Sequence, residues 1–103
     1  MKITIKITEL DGNFPDGFLG EKYARELEKT ISENVEAEFS FASVSVDVDL
    51  VKNCSGVNSE PSVDIIPYGT PDDSANYYRV MEIIEFTRDT FGAECMQDED
   101  FYE

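Results

Sequence analysis

The chain has 103 residues and is 41% hydrophobic, enough for one domain with a single modest core and unlike the composition of a disordered segment. Twenty-three acids face eight bases, a net charge of −15, which argues against nucleic acid or an anionic membrane as a direct partner because both would repel this surface. The excess is uneven: residues 1–29 hold six acids and five bases, whereas residues 30–103 hold seventeen acids and only Lys52, Arg79 and Arg88. Self-repulsion of that size destabilises a compact state, so a use for the charge is expected.

Residues 2–8 alternate perfectly, with Ile3, Ile5 and Ile7 on one parity and Lys2, Thr4, Lys6 and Thr8 on the other. That pattern predicts a β-strand with one apolar face. Asp11-Gly12 and Pro15-Asp16-Gly17 are turn chemistries and place a loop after it. Leu19, Tyr23, Leu27, Ile31 and Val35 then recur every fourth residue, predicting an amphipathic helix over about 18–34. Its acids are matched by nearby bases at i, i+4, as in Glu21 with Arg25 and Lys22 with Glu26.

A second strand is expected to run through Phe39 to Leu50, with a complication. Phe39 and Phe41 have odd parity, but Val44, Val46, Val48 and Leu50 have even parity, which implies a bulge or bend near Phe41-Ala42. Residues 52–61 read as loop, and Val63 and Ile65 mark a third strand over 62–68 with Pro67 at its end or at an edge. The second and third strands most simply form an antiparallel hairpin. Thr70-Pro71-Asp72-Asp73 is a helix start, followed by an inner stripe of Tyr77, Val80, Met81, Ile84 and Phe91. Gly92 is the expected stop. Ala93 to Met96 then read as a short fourth strand, and 98–103 as an acidic, mobile tail on a single domain of residues 1–97.

The element order β-α-β-β-α-(β) resembles a ferredoxin-like α+β sandwich, with an antiparallel-rich sheet covered on one face by two helices. The uncovered face would carry Lys2, Thr4, Lys6, Ser43, Ser45, Asp47, Asp49 and Asp64.

Catalytic chemistry is hard to assemble from these residues. Without histidine the chain lacks the commonest general base and transition-metal ligand. It has no Gly-rich phosphate loop, nucleophile elbow or zinc-binding helix motif. Cys54 and Cys95 form no CxxC pair and read as free thiols in a reducing, cytoplasmic setting, with no signal peptide or membrane span expected. Nothing matches a calcium-binding loop, so no metal, cofactor or enzymatic activity is expected.

The carboxylates themselves are the candidate recognition groups. Asp47 and Asp49 share a strand face roughly 6.6–6.8 Å apart, twice the strand rise. Successive phosphates on one DNA strand are separated through space by a distance on the order of 6–7 Å, given their roughly 3.4 Å axial rise. The candidates form three groups: Asp47, Asp49 and Asp64 on the sheet; Asp72, Asp73, Glu82, Glu85 and Asp89 on the second helix; and Asp98, Glu99 and Asp100 in the tail. In charge and size the chain resembles the small DNA-mimicking inhibitors of phages and mobile elements that block restriction or CRISPR nucleases. That resemblance implies a non-enzymatic inhibitor seated on the basic nucleic-acid-binding surface of a partner protein. The alternative is an adaptor that docks through Asp98-Glu99-Asp100-Phe101-Tyr102, using charge with aromatic anchors.

Overall fold

The computed structural model describes residues 1–51, 60–66 and 73–103. Its architecture is α+β, with three strands in a mixed, open sheet and two helices in the order β-α-β-β-α. Strand β1 (Lys2–Leu10) lies in the middle, flanked by β2 (Ser43–Val51) and β3 (Ser62–Ile66). Being bonded on both sides, β1 contributes the deepest strand residues: Ile3, Ile5 and Ile7 are all buried.

The pairing differs from the expected hairpin. β2 runs parallel to β1 over Lys2↔Ser43 to Leu10↔Val51, and β3 runs antiparallel to β1 over Lys2↔Ile66 to Lys6↔Ser62. The cause is the length of helix α1 (Gly20–Glu38). Its 19 residues rise about 28 Å at 1.5 Å each, nearly the length of the nine-residue β1 at about 3.3 Å each. The helix therefore carries the chain back to where β1 began, and the next strand sets off in the same direction beside it. The start of β2 is secured there by the Ser43 N–H donating to the Met1 carbonyl, 2.8 Å away.

Phe39 caps the C-terminus of α1 rather than starting a strand. The four-residue stride of Tyr23, Leu27, Ile31 and Val35 simply continues to Phe39, whose N–H closes on the Val35 carbonyl at 2.9 Å and whose ring is buried. Phe41 follows in a turn and is exposed, so the parity break expected as a bulge is a helix end.

Helix α2 (Asp73–Met96) likewise runs past the expected stop, and no fourth strand forms at 93–96. Gly92 serves close packing here. It is buried, and a Cβ added to it would stand 3.2 Å from the Tyr23 hydroxyl oxygen. Beyond it Cys95 extends the buried stripe of Val80, Ile83, Ile84 and Thr87. The two helices are tied where Asn34 Nδ2 donates to Thr87 Oγ1 at 2.9 Å.

The C-terminal residues close onto the loop before α1. Glu99–Phe101 form a 3₁₀ turn, capped by the Asp98 carboxylate accepting from the Asp100 N–H. The Leu19 N–H donates to the Phe101 carbonyl at 2.7 Å, the Glu103 N–H donates to Gly17, and Tyr102 bridges Phe18. Gly17 takes φ +81° in a turn closed by the Phe18 N–H on Pro15, the left-handed position that favours glycine. Phe14, Phe18, Tyr23, Phe91, Phe101 and Tyr102 pack as one aromatic cluster around this closure.

Candidate functional site

Parity decides which strand residues meet solvent. The even residues of β1 and the odd residues of β2 turn away from the helices, so Asp47 and Asp49 are exposed on one face together with Asp64 of β3. Lysines are interleaved with them: Lys6 stands opposite Asp47 in register, and Lys2 stands beside Ser43 and Ile66. Among the described residues neither lysine forms an ion pair. The face thus carries three acids and two bases, so it is a weaker anionic array than the Asp47–Asp49 spacing alone suggests.

On the opposite side of the molecule, the outer surface of α2 exposes Glu82, Glu85 and Asp89. At 1.5 Å per residue, Glu85 and Asp89 are offset by roughly 6 Å along the axis. Arg79 approaches Glu82 at 3.3 Å and makes its main contact with Glu38 through both Nε and Nη2, with Nε at 2.7 Å. Those hydrogen bonds hold the Glu38 carboxyl below its ordinary range and push the guanidinium up. Arg88 pairs elsewhere. It pairs at 2.9 Å with Glu9, and both side chains are largely buried. Glu9 shares the inward parity of Ile3, Ile5 and Ile7, and an acid on that parity was a readable sign that a base would come to it.

The sheet group and the α2 group therefore lie on opposite faces, and the structure does not merge them. Asp98, Glu99 and Asp100 form a third group at the end of α2, exposed on the 3₁₀ turn. Asp72 lies outside the described residues, as do the side chain of Asp73, the Thr70-Pro71 helix start, Pro67 and Cys54. The aromatics of the tail face inward. Phe101 is 8% exposed and sits under the Lys22 ammonium, and the Tyr102 hydroxyl donates to the Met96 carbonyl at 2.6 Å.

Two features escaped the sequence reading. One is a clasp on the outer edge of β2: the Val48 N–H donates to the Glu28 carboxylate, and the Val48 carbonyl accepts from Arg25 Nη2, whose Nη1 holds the same Glu28 oxygen. The other is a cleft of about 580 Å³ between α2 and the end of β1, with Tyr23 at its floor and Glu85 and Asp89 on its wall. The clasp's two bonds to Val48 span 20 and 23 positions, and the cleft brings the end of β1 against α2, so both are beyond the reach of any local pattern.

Cys95 is buried, and burial with the nearby Asp98, Glu94 and Glu26 charges pushes its thiol up to about 11. Such a thiol is a poor nucleophile at neutral pH. Among the described residues no three acidic or thiol side chains converge to hold a metal ion, and no helix is long and apolar enough to cross a membrane. Comparison with known proteins finds no match among family models, curated proteins or solved structures.

Proposed function

We propose that the protein is a non-enzymatic, acidic inhibitor: a DNA mimic that occupies the basic nucleic-acid-binding surface of a partner such as a restriction or CRISPR nuclease. One observation carries this reading. Asp47, Asp49, Asp64, Glu85 and Asp89 are exposed and in no ion pair among the described residues, while Arg25, Arg79 and Arg88 are engaged by other acids. Carboxylates left unanswered in this way repel one another and favour any surface that brings arginine and lysine to them.

The interleaved lysines on the sheet shift the weight toward the α2 row. A body measuring 46 × 30 × 17 Å is also thin enough for a basic groove to reach both acidic faces. An adaptor docked through its tail has less support, because Phe101 and Tyr102 are already used within the chain.

The test is capture from host lysate at low and high salt, followed by elution with short duplex DNA. A mimic captures nucleic-acid-binding proteins at low salt, and DNA displaces them competitively. Partners that stay bound when DNA occupies their groove would overturn the reading. For the sheet group, Asp47→Asn with Asp49→Asn should weaken capture chiefly at low salt and leave the fold intact.

A further inference from the structure

The floor of the cleft beside α2 carries a tyrosine hydroxyl. Tyr23 is 3% exposed, and its hydroxyl makes no hydrogen bond among the described residues. It lies against Gly92, where both residues line the cleft. Phe14 and Met81 supply apolar wall, and the Glu9–Arg88 pair forms part of the lining. Among the described residues Glu9, Glu60, Glu85 and Asp89 line the cleft with Arg88; Glu9 and Glu60 have partners of their own, whereas Glu85 and Asp89 are in no ion pair among the described residues.

We propose that this cleft receives the side chain of a lysine or arginine presented by the basic partner. The apolar stem lies along Phe14 and Met81, and the cationic head sits among Glu85, Asp89 and the Tyr23 oxygen. The inference rests on the reading of Glu85 and Asp89 as recognition groups and adds what they hold. The acceptors select the ligand: carboxylates and a free phenol oxygen accept from a head that carries only donors, and the aromatic faces add cation–π attraction. An anion meets the carboxylates of Glu85 and Asp89, and a neutral alkyl chain leaves the hydroxyl unbonded. Burial and the Glu9 charge keep the Tyr23 proton in place, so the phenol remains a neutral acceptor throughout the physiological range.

The probe is N-acetyl-arginine amide, titrated into the ¹⁵N-labelled full chain without any partner, with N-acetyl-norleucine amide as the uncharged control. A ligand of this size should bind with Kd on the order of a millimolar and shift the amides of Phe14, Tyr23 and Gly92 saturably, while the control shifts none of them. The E85Q/D89N variant should bind about tenfold more weakly. Tyr23→Phe, which keeps the ring and hence the packing, should bind about threefold more weakly. Absent shifts, equal shifts with the norleucine control, or full affinity in E85Q/D89N would each overturn the proposal. Because no partner is present, a failure here leaves the DNA-competition result standing, and loss of DNA competition leaves this one standing.

Discussion

At the scale of single residues, burial and nearby charge determine what each group can do. Cys95 lies on the buried face of α2, where burial and the nearby Asp98, Glu94 and Glu26 charges push its thiol up to about 11; Tyr23 is pushed up as well, mainly by burial. In the unfolded chain these groups release their protons from about pH 8.5 (thiol) and about pH 10 (phenol). Between roughly pH 9 and 11 the unfolded state therefore binds fewer protons than the native one, and stability falls as pH rises. The melting temperature should hold below about pH 8.5 and drop from there to pH 11, with Cys95→Ala removing part of the drop. In a Cys54→Ser background, Cys95 should resist iodoacetamide at pH 8 until denaturant is added; rapid labelling of the native protein would contradict its placement. Phe101 contributes through packing. Phe101→Ala should cost about 3 kcal/mol and release residues 98–103, visible as fast amide exchange in the tail and in Leu19, whose N–H bonds the Phe101 carbonyl.

At the scale of elements, β2 is a nine-residue strand that, among the described residues, pairs with β1 and no other strand. An open edge of that length invites pairing with another chain. The Glu28–Arg25 clasp covers the outer N–H and carbonyl of Val48 in the second half of the strand. Glu28→Ala should therefore do two things. It should lower stability by about 1–2 kcal/mol through the lost charge-assisted bond to Val48, and it should promote self-association at high concentration. Sedimentation velocity checks the second effect: a strictly monomeric variant would mean that the clasp does not guard the edge. Helix α2 makes the complementary point. Its Gly92, read locally as a terminator, is kept small by Tyr23 from the other helix.

For the whole molecule, charge is the dominant variable. Seven of the eight bases are described, and the three arginines among them are already engaged with glutamates. The remaining acids repel one another across the surface. Salt should then act in opposite directions on folding and on binding. Raising ionic strength from about 0.01 M to about 1 M shortens the Debye length from about 30 Å to about 3 Å. The relief of self-repulsion should raise the melting temperature by about 4–8 °C, equivalent to about 1 kcal/mol for a domain of this size, while partner capture should fall. A flat melting temperature across that range would mean that the acids are too dispersed to repel, which would remove the physical basis of the proposed function.

Local pattern was enough to read the faces. Two-residue alternation placed Ile3, Ile5 and Ile7 inward and Asp47, Asp49 and Asp64 outward, and a four-residue stride marked α1 from Tyr23 to Val35. These periodicities are properties of the backbone and need no knowledge of neighbours. Which elements meet is a different matter. The parallel seating of β2 on β1, the capture of Phe39 by the helix, the Glu9–Arg88 pair and the docking of Phe101 on Phe18 all join residues through space. A periodicity states which side of a strand or helix is apolar; only the assembled core decides what that side is pressed against, because burial is shared between partners distant in the chain.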